Sequence, residues 1–307
     1  MCEDKDINVT RIHLKTDCEK HGGTREDLID FCLGNDKPQY VAIGWSNVHD
    51  QDVIKDYESY YNAIQTPRKN PVLNVFKGTH KGDLFWTRDL DGFYWICRAE
   101  GEARTEYDSD LDIGAVIPVK AYKVGLEVPG QIKASFNRPL GGTSERIHDK
   151  LMKEYSKYVF NEASGNPAYE IKKVKEDVID NLPEFDLEEL VIIYLQVKEG
   201  YYVLSNSIAK KSTTIKIECE LMSRNKNNPR KAVVQVKAGQ NEYDAGDYQK
   251  FVEEGYLVYL YGNFKNCNES GYIHIEKDDL KSFYDDYKTI LPKSITKWEN
   301  LFDKEAK

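Results

Sequence analysis

The chain has 307 residues, 40% of them hydrophobic, and a net charge of −9. This composition is that of a globular protein of about two domains, and it excludes wholesale disorder and fibrous repeats. The acidic balance argues against a general polyanion binder. No apolar run reaches the ~20 residues that a membrane helix needs, and the polar N-terminus is unlike a secretory signal. We therefore expect a soluble, cytoplasmic protein with no membrane partner.

The six cysteines and six histidines are scattered, without the paired spacing of a zinc site. Free thiols in a reducing compartment are therefore expected. The same dispersal argues against a dedicated Cys/His metal cluster.

The first part of the chain is predicted to be rich in strands, with a few helices. Gln39–Trp45 is typical of a buried strand, and tyrosines at helical spacing predict a helix within Val53–Ile64. Gly82–Arg88 and Phe93–Arg98 flank the turn Asp89–Gly92, which predicts a hairpin.

Residues 112–125 are predicted to continue the strands, and close-spaced strands with glycine turns are typical of a small barrel. Ser144–Val159 is predicted to be a helix capped by Ser144. The polar stretch Asn161–Pro167 then predicts a boundary between domains 1–165 and 166–307.

The second domain shows the order helix, three strands, helix, strand. This order predicts a mixed sheet flanked by helices, so that the whole chain is of the α+β or α/β class. The predicted elements are a helix at Asp186–Lys198, strands at Gly200–Leu204, Thr213–Met222 and Ala232–Ala238, a helix at Tyr248–Glu254 and a strand at Leu257–Tyr261. Residues 270–307 are predicted to add a strand and helices, for which the sequence indicates no role.

Three polar side chains in this domain can carry chemistry together. Gln235 and Lys237 are two residues apart on one strand and therefore share a face, while Glu218 lies on the preceding strand. Hard oxygen ligands hold Mg²⁺ or Mn²⁺, which activates water for phosphodiester hydrolysis. A lysine orients that water and balances charge on the phosphorane. An ordinary cross-strand pair on an exposed strand is the alternative.

Residues 185–275 resemble the PD-(D/E)XK nuclease superfamily, which has the restriction-endonuclease-like fold. The resemblance implies a helix glutamate, a strand acid and an acid-x-lysine motif, matched here by Glu188, Glu218 and Gln235-Val-Lys237. It implies that Glu188, Glu218 and Gln235 are metal ligands and that these three residues with Lys237 form the catalytic set.

The match departs from the family pattern at one position. Gln235 stands where Asp or Glu is usual, which removes a negative charge and should weaken metal binding. The spacing also leaves Glu220 open as an alternative to Glu218, and Glu189 as an alternative to Glu188.

A basic stretch lies in the same region. Ser205–Lys237 carries eight basic residues against two acidic ones, a net charge of +6 in an acidic chain. Such a stretch marks either a nucleic-acid face or a solvated lysine-rich hairpin. The predicted contacts to the nucleic-acid backbone are Lys210, Lys211, Lys216, Arg230 and Lys231.

In the first domain, residues 82–98, with Ala42–Trp45 and Val128–Phe136, resemble the PUA-like barrels that include the EVE and YTH modules. The resemblance spans about residues 8–160. It implies a module that reads a modified or flipped base in an aromatic pocket.

Four residues are candidates for that base-binding pocket. Trp45, Trp86 and Trp95 can form its walls, because stacking on a base contributes about 1–3 kcal/mol. Asp83 can accept a hydrogen bond from an exocyclic amine. A place in the barrel core is the alternative for each tryptophan, and a turn-stabilising role is the alternative for Asp83.

Together the two resemblances predict a modification-dependent DNA endonuclease that uses Mg²⁺ or Mn²⁺, with base-modified DNA as its partner, in phage defence. Cutting two strands needs two sites, which is compatible with a homodimer. A catalytically degenerate nucleic-acid-binding protein is one alternative. A repair or RNA-processing nuclease that requires no modified base is another.

Overall fold

A computed structural model describes residues 7–50, 53–65, 70–138, 141–208 and 217–302. The fold is mixed α+β, as predicted, and the chain divides into two compact units. Unit 1 comprises the residues up to Val128 and Ile132–Lys173, and unit 2 comprises Pro129–Gln131 and the residues from Val174 onwards. The division therefore falls after Lys173 instead of after residue 165.

Unit 1 is built around a seven-stranded sheet. Its strands are β1 (Val9–Ile12), β2 (Gln39–Ile43), β3 (Leu84–Arg88), β4 (Tyr94–Ala99), β5 (Arg104–Asp108), β6 (Ile113–Gly125) and β7 (Ser144–Ile147). Its helices are α1 (Cys18–His21), α2 (Arg25–Leu33), α3 (Tyr57–Ala63), α4 (Pro71–Lys77), α5 (Gly130–Asn137, which begins in unit 2) and α6 (Lys150–Ser164), with a 3-10 helix at Ser46–Asp50.

The strand order is β2-β6-β4-β3-β1-β7, with β5 also paired to β6. All neighbours are antiparallel except β1 and β3. The sheet curls into a half-barrel, with β2 and β7 at its two ends. The predicted small barrel is therefore an open half-barrel in the described strands.

The predicted hairpin of unit 1 is confirmed. The Asp89 carboxylate accepts a hydrogen bond of 2.8 Å from the backbone N–H of Phe93, and Gly92 takes φ 88°, which glycine adopts without steric cost. These are local turn signals, so the sequence places β3 and β4 closely.

The prediction of a helix over Ser144–Val159 is wrong at its start. Its first four residues form β7, which pairs antiparallel with β1. The helix α6 begins at Lys150, where the Asp149 carboxylate accepts a hydrogen bond of 2.7 Å from the Met152 N–H, and it continues to Ser164. The distant partner strand overrides the helical pattern of the first residues.

Unit 2 contains a five-stranded sheet of order β14-β12-β10-β9-β8. Strands β8, β9 and β10 are antiparallel, and β12 and β14 run parallel to β10. The strands are β8 (Tyr201–Val203), β9 (Cys219–Ser223), β10 (Lys231–Val236), β11 (Tyr243–Asp244), β12 (Leu257–Tyr261), β13 (Phe264–Lys265) and β14 (Tyr272–His274). The helices are α7 (Val178–Asn181), α8 (Glu184–Val197), α9 (Gln249–Glu253), α10 (Lys277–Tyr287) and α11 (Lys293–Thr296), with 3-10 helices at Ser205–Ser207, Ala245–Tyr248 and Lys297–Leu301.

The predicted elements correspond to α8, β8, β9, β10, α9 and β12, and the two-residue strand β11 lies between β10 and α9 in addition. Residues 213–216 of the predicted strand Thr213–Met222 lie outside the described residues. The helix α8 begins after Pro183, two residues before the predicted start at Asp186. Asp186 instead lies buried in the first turn, where it accepts hydrogen bonds from the Gly130 N–H and the Trp298 indole N–H. This contact gives the last segment of the chain a structural role in unit 2.

None of the helices in the described residues is long and apolar enough to cross a bilayer. The cysteines that the structure describes, namely Cys18, Cys32, Cys97, Cys219 and Cys267, are free thiols, as predicted.

Candidate functional site

In unit 2 the structure brings Glu218 and Gln235 into direct contact. The Glu218 N–H donates to the Val234 carbonyl and extends the pairing of β9 with β10. The side chain of Gln235 is 3% exposed, and its amide N–H₂ donates to Glu218 Oε1 at 2.7 Å and to the Val236 carbonyl at 2.9 Å. A neutral amide thus takes the place beside Glu218 where a second carboxylate would be repelled.

Lys237 follows directly after β10, and its N–H donates to the Tyr261 carbonyl. The ammonium group lies 5.5 Å from the centre of the Tyr243 ring and forms no ion pair within the described part of the chain. A half-buried cation with no acidic partner among the described residues can donate hydrogen bonds to a phosphate oxygen.

A second carboxylate lies near this group. The pKa of the Tyr248 hydroxyl is raised to about 12 by burial and by the negative charges of Asp247 and Glu218, so both acids lie close to that ring. The sequence analysis did not select Asp247. It lies within the 3-10 helix Ala245–Tyr248, which no nuclease motif marks, and its relation to Glu218 depends on the fold.

The alternative ligands proposed from the sequence differ in their contacts and burial in the structure. Glu218 contacts Gln235, whereas Glu220 lies opposite Val233 and is 3.5 Å from the Tyr256 hydroxyl. On α8, Glu188 is buried and Glu189 is exposed. The geometry therefore favours Glu218 over Glu220 as the partner of Gln235.

A magnesium ion would find few ligands here. Within the residues that the structure describes, no group of three Asp, Glu, His or Cys side chains could hold a metal ion. Glu218 and Gln235 offer one carboxylate and one amide. Since Mg²⁺ usually keeps several waters and binds one or two carboxylates plus substrate phosphates, the pair fits a weak site completed by water and phosphate.

A cavity of about 1020 Å³ opens where the parallel strands β10, β12 and β14 end. Lys237, Gly262 and His274 lie in its wall. Ligands of parallel sheets commonly bind at this end of the strands. The cavity therefore extends the candidate site beyond the Glu218–Gln235 pair.

His274 is a titratable group in the wall of this cavity that the sequence did not single out. Its ring nitrogens lie 2.8 Å from the Gly262 carbonyl and 3.0 Å from Glu276 Oε1. Burial opposes the charged ring, but these two acceptors outweigh it and raise the His274 pKa. The predicted strand at Tyr272–Ile275 was the available signal, but it carried no recognisable motif.

In unit 1, Trp45 lies in the wall of a cavity of about 500 Å³. Its backbone takes φ 63°, a left-handed conformation that is rare for a bulky residue and that occurs preferentially at functional sites. The cavity is also lined by polar side chains, among them Lys15, Asn47 and Asn70. An aromatic wall with amide groups nearby suits a flat, polar ligand.

Asp112 holds the Trp45 segment in place. Its buried carboxylate accepts hydrogen bonds from the Ser46 N–H at 2.9 Å, from the Ser46 hydroxyl at 2.8 Å and from the Asp17 N–H at 3.1 Å. A Cβ atom at Gly44 would lie 2.7 Å from Asp112 Oδ2, so glycine is needed there. The Tyr60 hydroxyl also donates to the Gly44 carbonyl. The strained tryptophan is thus fixed on both sides.

The other predicted base-binding residues are engaged within unit 1. Trp86 is fully buried and its indole N–H donates to the Ser156 hydroxyl, whereas half-buried Trp95 donates to Asp89. Asp83 is buried and accepts hydrogen bonds from the backbone N–H groups of Asn8 and His80. These placements correspond to the core and turn alternatives and leave Trp45 as the aromatic side chain at the cavity.

Of the predicted backbone contacts, Lys210, Lys211 and Lys216 lie outside the described residues. Arg230 and Lys231 are exposed next to each other, and the Lys231 ammonium lies 5.7 Å from the centre of the Tyr256 ring. Their exposure fits both a nucleic-acid face and a solvated turn.

The lowered pKa of His13 in unit 1 predicts that the free energy of unfolding depends on pH. Burial and the charges of nearby arginines lower its pKa from 6.5 to about 4. As the pH falls from 6.5 towards 4, the unfolded chain binds a proton that the folded chain does not, so stability falls across this window. With solvent screening of a half-exposed ring, we expect a loss of about 1 kcal/mol.

Thermal unfolding of the wild type and of His13→Gln between pH 7 and 4 measures this loss. The difference between their midpoints should change as the pH falls, in favour of the variant. A difference between the two midpoints that stays constant from pH 7 to pH 4 would contradict the lowered pKa of His13.

No protein family matches the chain, and no curated protein matches it. Among solved structures, the chain is similar to the MspJI restriction endonuclease in complex with a 27-mer oligonucleotide. The similarity has 8% identity and a TM-score of 0.24, and it covers 78% of this chain and 71% of that one. A TM-score this low supports no conclusion about fold or function. The proposed function therefore depends on the residues described above.

Proposed function

We propose that the protein is a metal-dependent DNA endonuclease that acts on base-modified DNA, in the manner of modification-dependent restriction against phage. The contact of Glu218 with Gln235 is the observation on which this depends. Lys237 follows Gln235 by two residues and forms no ion pair in the described part of the chain. In unit 2 the helix α8, which carries Glu188, precedes β9 and β10 in the chain, and this order supports the proposal.

Each of the site residues in unit 2 would have its own role in the reaction. Glu218 and Gln235 would hold Mg²⁺ or Mn²⁺, with buried Glu188 as the third predicted ligand. The bound ion supplies a polarised phosphate and a water of lowered pKa. Lys237 would orient that water and balance the negative charge that develops on the phosphate.

Unit 1 would supply the recognition of the base. An extruded base can stack on the Trp45 ring, which contributes about 1–3 kcal/mol. Amide groups such as those of Asn47 and Asn70, which line the same cavity, can hydrogen-bond its edge. Extrusion costs a few kcal/mol and is easiest for altered bases, which favours a modified substrate. Cutting both strands would need two copies, so the proposal includes a homodimer on DNA.

The test is a cleavage assay with Mg²⁺ or Mn²⁺ on phage genomic DNA that carries modified cytosines, beside unmodified plasmid. We expect cutting of the modified DNA alone, and none in the presence of a chelator. Equal cutting of both substrates would instead support a repair or processing nuclease that needs no modified base.

A second candidate function is binding of nucleic acid without catalysis. It is favoured by the hydrogen bond that occupies Glu218 and by the lack of a three-ligand metal cluster among the described residues. Binding of modified DNA without cutting under either metal would support it.

The substitution Gln235→Glu tests the metal site directly. It places a second carboxylate beside Glu218, and we expect Mn²⁺ to bind about tenfold more tightly or better, which is 1.4 kcal/mol per tenfold. Calorimetric titration with Mn²⁺ measures the change.

Gln249→Glu is the matched control, because it adds the same charge on α9 and can still accept the hydrogen bond from the Tyr272 hydroxyl. Equal Mn²⁺ affinity in the two variants would show that Gln235 does not face the metal.

A further inference from the structure

Positive side chains of unit 1 gather around His13 and Phe136. The two rings meet edge to face with centres 5.1 Å apart. The guanidinium groups of Arg88 and Arg11 lie 5.6 Å and 5.8 Å from the centre of the Phe136 ring. Three separate segments of the chain therefore bring cationic and aromatic groups to one place.

The cations of this group differ in how they are satisfied. Arg11 is fully buried, forms an ion pair of 3.0 Å with Glu145 and donates to the Gly142 carbonyl. Glu145 is also bound by Arg138 at 2.7 Å. The one acid of this group is thus already shared between two arginines and has little capacity left for a third cation.

Three other cations form no ion pair with an acidic residue in the described part of the chain. Arg88 donates to the Asn137 side-chain oxygen at 3.0 Å, and Arg25 makes a long contact of 3.5 Å with the Leu14 carbonyl. Neither these two nor Lys15 forms an ion pair with any residue in the described part of the chain. The Nε atom of Arg25 is buried and has no hydrogen-bond partner there. We call Lys15, Arg25 and Arg88 the cation cluster.

The charges of the cation cluster act on His13 together. After burial, the causes that lower the His13 pKa to about 4 are Arg11, Arg88, Arg25 and Lys15. The field at the ring is therefore strongly positive, although the chain as a whole has nine more acids than bases. Such uncompensated charge is unfavourable without an anion, and arginine forks suit phosphate oxygens.

The cation cluster lies beside the Trp45 cavity. Lys15 belongs to the cluster and also lines the cavity. The N–H of His13 donates at 2.8 Å to the carbonyl of Thr143, another residue of the cavity wall. A ligand that fills the cavity and continues outward at this side would meet the cluster next.

We propose that Lys15, Arg25 and Arg88 form a subsite for a backbone phosphate of the DNA strand whose base enters the Trp45 cavity. The inference builds on the proposed function and adds a contact surface to it. It differs from the basic stretch between Ser205 and Lys237, which lies in unit 2. The sequence alone does not show this subsite, because its members are spread over more than seventy positions and meet only in the folded unit 1.

The experiment follows the His13 ring by NMR during pH titration, with and without a saturating single-stranded oligonucleotide. We expect the bound phosphate to raise the His13 pKa by about one, which corresponds to tenfold tighter binding to the protonated form by linkage. We also expect Arg88→Gln to raise the pKa in the free protein, because it removes one of the cations.

Binding of the same oligonucleotide across a salt series gives an independent readout. Arg25→Gln and Arg88→Gln should each weaken binding about 3- to 30-fold and should reduce the slope of log affinity against log salt by about 0.7. Arg104→Gln is the matched control in unit 1, because it removes an exposed arginine that stacks on Tyr40.

An unchanged His13 pKa in the complex, or equal affinities of Arg88→Gln and Arg104→Gln, would overturn the subsite while leaving the proposed function standing. Failure of the wild-type protein to bind any oligonucleotide, base-modified ones included, would overturn both.

Discussion

Lys237→Ala should lower the rate of DNA cleavage by about 10²- to 10⁴-fold while changing DNA affinity by less than about tenfold. The ammonium group forms no ion pair in the described residues, so its removal leaves no buried acid without a partner. The fold should therefore tolerate the change. Single-turnover cleavage of modified DNA and equilibrium binding without metal separate the two effects.

Lys231→Ala is the control for that measurement. It removes the same charge from the first residue of β10, the strand that Lys237 directly follows, and Lys231 is exposed there. We expect it to lower affinity slightly and to leave the cleavage rate of bound DNA unchanged. Similar losses of rate in both variants would mean that Lys237 contributes only charge, and full activity of Lys237→Ala would place the chemistry elsewhere.

Trp45→Ala should weaken binding of base-modified DNA by about 10- to 100-fold, which is the contribution of one stacked base. Binding of unmodified DNA should change little, because backbone contacts supply most of that affinity. Competition between modified and unmodified duplexes in a binding assay measures the loss of preference.

Trp95→Ala is the matched control, since Trp95 is also half-buried and was also a candidate from the sequence. Its N–H is bound to Asp89 within the hairpin, so we expect a loss of stability without a loss of base preference. The opposite result, with preference lost only in Trp95→Ala, would move the base site to the hairpin.

The elements that are held by contacts between residues close in the chain could be predicted from the sequence. The β3–β4 hairpin follows from Asp89 and Gly92, and α8 follows from its apolar pattern. The failures concern partners that are far away in the chain. Ser144 does not cap a helix, because its segment pairs with β1.

The residues of the candidate site also fall into those that could be predicted from the sequence and those that could not. Gln235 and Lys237 could be selected from the sequence because they are two residues apart, and the contact with Glu218 follows from pairing adjacent strands. His274 and Asp247 could not be selected, because a crossover and a short 3-10 segment bring them to the site. In unit 1, the sequence suggested three tryptophans, and the structure adds the left-handed φ angle of Trp45 and the cavity beside it.

The close approach of Gly44 to Asp112 constrains how this protein can evolve. A side chain at position 44 would collide with the carboxylate that holds Ser46, and a change at position 112 would release the turn that Gly44 permits. Neither position can change alone without disturbing Trp45. Homologues that keep the tryptophan should therefore vary at positions 44 and 112 as a pair, and homologues that have lost the tryptophan should be free to vary at each position separately.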